Sequence, residues 1–171
     1  MQVLATKGKV KRDYYAKRLY YYVDKKPECN QIGHRLAVNW CRMLAEKSAR
    51  NGVKMHNWMY EPNFVIIRPD AMYSTKNEWR KADGKEYEFY CVEIDLSPNP
   101  FDKVQKYNKW FENLGNAWFT QYAYRFPEVN IITYDEVREL KIQEHIRNEN
   151  KHGLRFTTKT LDSIIRECVR I

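Results

Sequence analysis

Glycine is scarce in this chain: six residues in 171, at positions 8, 33, 52, 84, 115 and 153. None falls in the G-x-x-x-x-G-K-[ST] loop or the G-x-G-x-x-G turn that brings backbone N–H groups against a phosphate, so ATP and dinucleotide chemistry are not expected. Histidine is equally thin. His34, His56, His145 and His152 are scattered, with no H-x-H or H-E-x-x-H pair, which argues against a histidine-based relaxase or a zinc hydrolase. His34, near a helix start, reads as a cap or surface residue. The four cysteines, Cys29, Cys41, Cys91 and Cys168, form no C-x-x-C pair and have no histidine at zinc-finger spacing. They read as reduced, mostly buried thiols. No apolar run approaches the roughly 20 residues that span a bilayer, and the N-terminus lacks an apolar signal core. The expectation is a cytoplasmic protein with no membrane partner and no nucleotide cofactor.

Positive charge and tyrosine are what the chain has in excess. The formal charge is +8, and 13 of the residues are tyrosine. A basic chain is drawn to polyanions such as nucleic acid. The charge is also uneven. Residues 1–26 hold eight lysines and arginines against Asp13 and Asp24, which places +6 of the +8 there. Lys9, Lys11, Arg12, Lys17 and Arg18 in this segment, with Arg68 further on, are the candidate DNA contacts. Tyr14, Tyr15 and Tyr20 to Tyr22 could stack on unpaired bases or pack as strand residues.

The hydrophobic pattern predicts one α/β (α+β) domain behind a basic arm, with a boundary near residue 27. The arm spans 1–27 and the domain 28–171. Leu36, Ala37, Trp40, Met43 and Leu44 fall at helical spacing, which predicts a helix over about 33–51, ended by Gly52. Three strands are expected next: 53–60, 63–68 around the run Phe64-Val65-Ile66-Ile67, and 86–96. A turn at Ala82-Asp83-Gly84-Lys85 separates the last two. A second amphipathic helix is expected over 101–114, on Val104, Tyr107, Phe111 and Leu114. A strand at 129–133, a helix capped by Asp135, a short strand at 155–157 and a final helix from 161 complete the order.

Acid stands where acid is expensive. Asp70 follows the apolar run directly, and Glu93 and Asp95 sit inside Cys91-Val92-Glu93-Ile94-Asp95-Leu96. Residues two apart on a strand share a face, so Glu93 and Asp95 are expected side by side, with Asp70 near them if the strands pair. Like charges at that spacing repel, and a buried carboxylate is costly. A hard divalent cation, Mg²⁺ or Mn²⁺, relieves both problems. The alternative is a solvated face on which these acids pair with Lys or Arg.

The strand-end Arg68-Pro69-Asp70, then Glu93-x-Asp95, then Lys103-x-x-x-Tyr107 on a helix resembles the replication-relaxation proteins of plasmids and mobile elements. The segment Gly33-His34-Arg35-Leu36-Ala37-Val38-Asn39 is similar to that family's first helix. The resemblance covers about residues 28–134. It implies a restriction-endonuclease-like, PD-(D/E)XK core: a mixed β-sheet flanked by helices in the order αβββαβ. It also implies a metal-dependent nuclease-type site in which Asp70 and Glu93 bind Mg²⁺, with Glu46 of the first helix completing the acidic cluster. Asp95 stands where that superfamily usually has its lysine, so Lys103 or Lys106 is expected to replace it. The basic tyrosine-rich arm resembles the remnant of a winged-helix wing.

Two other readings remain open at this point. The chain could be a DNA-binding accessory protein that has lost catalysis, or a protein-binding inhibitor module. DNA is the expected partner in the nuclease-type and accessory readings, with a homodimer as a further candidate assembly.

Overall fold

The computed structural model describes residues 11–15, 18–22, 29–48, 52–96, 99–114 and 121–169. Contacts divide the chain into two compact units, Met1–Ala37 and Val38–Ile171. In the first unit, β1 (Lys11–Tyr15) and β2 (Arg18–Tyr22) pair antiparallel, with Lys11 opposite Tyr22 and Tyr15 opposite Arg18. Helix α1 (Cys29–Lys47) begins in this unit and continues into the next.

The second unit is a five-stranded mixed sheet with helices on both faces. Its strands are β3 (Val53–Tyr60), β4 (Ala71–Asn77), β5 (Tyr87–Asp95), β6 (Glu128–Thr133) and β7 (Phe156–Thr160). They lie in chain order, with β3, β4 and β5 antiparallel and β5, β6 and β7 parallel. The parallel pairs need crossovers. Helix α2 (Lys103–Glu112) lies between β5 and β6, and α3 (Glu136–Glu149) between β6 and β7. Helix α4 (Leu161–Val169) closes the described chain. Among the described residues, no helix is long and apolar enough to cross a membrane.

Alternation along the central strands decides which helix covers which face. Met72, Cys91, Val129 and Ile131 point to one side and form a buried cluster with Tyr107 and Trp110 of α2 and Ile142 of α3. Each such large apolar side chain stabilises by about 1.5–3 kcal/mol when fully buried. Tyr73, Val92 and Ile132 point the other way, toward Cys41, Leu44 and Ala45 of α1 and Ile164 of α4. Helix α3 starts where the sequence predicts, because the Asp135 carboxylate accepts the Arg138 backbone N–H at 2.8 Å. Cys41 and Cys91 are buried free thiols, and Cys168 is a partly buried one. Burial pushes the Cys41 thiol up to about 12, which leaves it unreactive.

One strand lies elsewhere than the hydrophobic pattern predicts. The run Phe64-Val65-Ile66-Ile67 is a loop, and the strand begins at Ala71. Only Ile67 of the run is buried; Val65 is 96% exposed. Residues 71–77, Ala-Met-Tyr-Ser-Thr-Lys-Asn, carry a weaker apolar signal but alternate in register with β5. The predicted turn at 82–85 is longer than a hairpin turn. A 3₁₀ helix, Glu78–Asp83, precedes Gly84, whose φ of +69° closes the connection. Trp79 on that segment is 81% exposed.

The loop holds a backbone anomaly. Val65 has φ +67°, a left-handed conformation that a β-branched side chain disfavours. Its N–H is held by the Asn63 side chain at 3.0 Å. Its exposed side chain has little packing to lose. Val65→Asn is therefore expected to stabilise the protein by about 1 kcal/mol. Urea denaturation checks this, and a loss of stability would contradict the strain.

Candidate functional site

Asp70 and Glu93 are neighbours at the end of the β4–β5 pairing. Ala71 lies opposite Val92. Continuing that register by one places Asp70 opposite Glu93. Pro69 turns the chain, and the Asp70 side chain takes over where the β4 main chain leaves the ladder. Its Oδ2 accepts the Ile94 N–H at 2.7 Å. The Asp70 carbonyl in turn accepts the Glu61 N–H at 3.1 Å, tying the site to the end of β3.

Glu93 is 1% exposed, in the middle of the sheet and on the α2 side. Lys103 and Tyr107 stand one turn apart on α2, so they share a face. The Lys103 ammonium donates to Glu93 Oε2 at 2.6 Å, and the Tyr107 hydroxyl donates to Oε1 at 2.8 Å. The Tyr107 ring is packed edge-on against Phe156 and Phe126, at 5.9 and 6.5 Å between centroids, which fixes where its hydroxyl points. Both oxygens of the buried acid are thus engaged.

Burial raises the Glu93 carboxyl to about 7, and Asp70 adds to the rise, while Lys103 and Tyr107 oppose it. Burial acts to lower Lys103, but Glu93 outweighs it and the ammonium is held above its ordinary range. The two directions pull against each other. Glu93 is raised on balance, because desolvation of a nearly inaccessible carboxylate exceeds what one partly exposed ammonium returns.

Asp95 has a different partner. Its Oδ2 accepts from Arg138 Nε of α3 at 2.6 Å, and Arg138 Nη2 donates to the Asn99 carbonyl at 2.6 Å. Asp95 and Arg138 are both largely buried. So the acids of β5 are not a shared ligand set. Glu93 goes with Asp70 and Lys103, and Asp95 goes with an arginine.

Other expected residues of the second unit have partners of their own. Lys106 pairs with Asp102 in an exposed i,i+4 bridge at 2.6 Å, which leaves Lys103 as the lysine that reaches the acids. Glu46 pairs with Arg42 at 2.9 Å, about half exposed, and Arg42 also donates to Tyr60. Among the described residues no three His, Cys, Asp or Glu side chains gather as a metal group, so the cluster of Asp70, Glu93 and Glu46 is not assembled. Arg68 pairs with Glu61 at the surface. Lys11 and Arg12 lie on β1 and Arg18 on β2, both in the first unit. Lys9 and Lys17 lie outside the described residues.

Sequence reasoning misses Arg138, which is 43 residues from Asp95 and carries no local motif. Tyr107 is legible only as part of Lys103-x-x-x-Tyr107. The i,i+4 spacing on an amphipathic helix is the signal that both side chains could face one acid.

The donor chemistry suits a hard cation. Mg²⁺ is commonly held by one or two carboxylates, with water and phosphate completing its shell. Asp70 and Glu93 supply two, and a carboxylate has about four lone-pair sites, so hydrogen bonds from Lys103 and Tyr107 leave capacity on Glu93. A cation there would also favour the charged form that burial disfavours. Compared with known proteins, the chain matches no family model, no curated protein and no solved structure.

The Glu93 shift gives a pH signature. The folded state binds the proton more tightly than the unfolded chain, so this group's contribution to stability is full below about pH 4.5 and is lost as pH rises to about 7. Lys103→Met removes the opposing ammonium. In EDTA it is expected to cost about 3 kcal/mol at pH 8, where Glu93 is ionised, and clearly less at pH 5, where it is neutral. Urea melts at the two pH values check this, and an equal loss at both would contradict the coupling.

Proposed function

We propose that the chain is a DNA-binding protein of the replication-relaxation kind carried by plasmids and mobile elements, with a PD-(D/E)XK-type site for Mg²⁺-dependent phosphodiester hydrolysis or nicking. The observation that carries this reading is the convergence of Asp70 at the entry to β4, Glu93 on β5 and Lys103 on the following helix. The run of elements from α1 to β6, helix, three strands, helix, strand, supports a restriction-endonuclease-like core. The helix-borne lysine supports the reading that the strand lysine, whose position Asp95 occupies, has been replaced by Lys103.

Asp70 and Glu93 would hold Mg²⁺ or Mn²⁺, which when bound polarises a phosphodiester and lowers the pKa of a water. The chain's own groups do the rest. Tyr107 fixes the rotamer of Glu93. The Ile94 N–H fixes the carboxylate of Asp70. Lys103 has an ammonium at the same point, where it can donate to an anionic phosphate oxygen. The basic segment 1–26 supplies the long-range attraction, which makes binding salt-dependent. In this reading the protein works in the cytoplasm, where plasmid DNA is. A second reading, a DNA-binding accessory protein without catalysis, draws on the Asp95–Arg138 pair, which occupies the position where the strand lysine would act.

The test is cleavage of supercoiled and single-stranded DNA in Mg²⁺ or Mn²⁺. Asp70→Asn keeps an oxygen acceptor for Ile94 but removes the charge, so it separates function from fold. It and Glu93→Gln are expected to lower cleavage by about 10³-fold, and Lys103→Ala by about 10²–10³-fold. Lys106→Ala is expected to leave the rate unchanged. Salt-sensitive DNA binding with no cleavage in either metal would move the conclusion to the accessory reading. No DNA binding at low salt would sink both.

A further inference from the structure

A cavity that contains an arginine and a lysine adjoins the acid pair. A cavity of about 360 Å³ opens at the carboxyl ends of the parallel strands β5 and β6, lined by Asp95, Leu96, Tyr134, Asp135, Arg138 and Lys141 among others. Crevices at that end of parallel strands are the usual ligand positions of open α/β sheets. The volume is many times that of one water. Asp95 lies two residues beyond Glu93 on the same face of β5, about 7 Å along the strand. That is farther than a single phosphate reaches and suits the next phosphate along a strand.

The chemistry of the lining is specific. Arg138 is gripped at two points, by the Asp95 carboxylate through Nε and by the Asn99 carbonyl through Nη2. A guanidinium carries five N–H donors in a fixed plane. Two are used in these bonds, and the plane is held rigidly by both. Lys141 is one turn further along α3, and its ammonium has no carboxylate within ion-pair distance among the described residues. Asp135 is committed to the helix, accepting the Arg138 backbone N–H. Tyr134, 62% exposed, stands at the rim.

We propose that this cavity binds a DNA backbone phosphate next to the one at the acid pair, with Arg138 and Lys141 as its contacts and Asp95 as the positioning residue for Arg138. The proposal rests on the DNA-binding reading above. It gives a defined role to the aspartate that replaces the strand lysine. Asp95 does not bind metal or substrate but aims a guanidinium from α3. Bidentate Arg–phosphate geometry depends on such aiming.

The experiment is binding of a short fluorescent DNA duplex and its single strand in EDTA, by anisotropy, over roughly 50–200 mM salt. Arg138→Gln is expected to weaken binding about tenfold and to lower the slope of log affinity against log salt by about one. Arg138→Lys is expected to restore the slope but not the full affinity. Lys141→Gln is expected to lower the slope by about one. Asp95→Asn is expected to weaken binding several-fold with the slope unchanged; tighter binding would show that Asp95 only neutralises the arginine and would overturn its positioning role. If Arg138→Gln fails to fold because Asp95 is left buried and unpaired, the double variant Asp95→Asn, Arg138→Gln removes both charges and carries the same expectation for affinity and slope. Wild-type affinity and slope in the arginine variant that folds would overturn the proposal while leaving the DNA-binding reading intact. No binding by the wild type would instead sink that reading.

Discussion

One buried carboxylate constrains the rest of the second unit. Glu93 lies in the central strand where Cys91, Val92 and Ile94 are apolar and covered, and an uncompensated charge there costs several kcal/mol. The compensation comes from α2, whose Lys103 and Tyr107 reach down together. Helix α2 therefore cannot slide or rotate on the sheet without stranding the acid. The crossover between β5 and β6 is held in register by polar bonds as well as by the packing of Tyr107 and Trp110. Hydrophobic cover alone tolerates small shifts; a bidentate polar clamp does not.

The same logic distributes charge along the strand end. Three acids fall within one corner of the sheet, and each is answered by a donor of a different kind. Asp70 receives a backbone N–H, Glu93 an ammonium and a phenol, Asp95 a guanidinium. These partners come from β5, α2 and α3. The corner is thus built by elements far apart in sequence, and its rigidity comes from their mutual closure. Such a corner holds functional groups better than a loop does.

Much of this is legible in the residues. The alternation Tyr87, Phe89, Cys91, Glu93 marks β5, and the spacing of Val104, Tyr107 and Phe111 marks α2, because both are strong periodic signals. The middle strand escapes the pattern for a physical reason. Phe64-Val65-Ile66-Ile67 is more hydrophobic than Ala71–Asn77, but a strand needs partners along its length. Pro69 and the left-handed Val65 deny them to the earlier run. The choice between Lys103 and Lys106 is beyond the sequence. Side chains three apart on a helix point only about 60° apart, and packing alone fixes which of them meets the sheet. The partner of Asp95 is also beyond it. Nothing local to Arg138 distinguishes it from a surface arginine, and only the parallel pairing of β5 with β6 brings α3 to that corner.

Asp70 has one further consequence, for how the site can change over time. Its carboxylate is a chemical group and at once a piece of the sheet, since it closes the hydrogen bond that the departing main chain leaves open at Ile94. A substitution that removed the charge would still leave the sheet in need of an oxygen acceptor at this position. Asparagine keeps the acceptor without the charge, so it is the replacement this corner of the sheet accommodates best. Lys103 is bound into the structure in a different way, through the single carboxylate of Glu93, so a change at either residue strands the other.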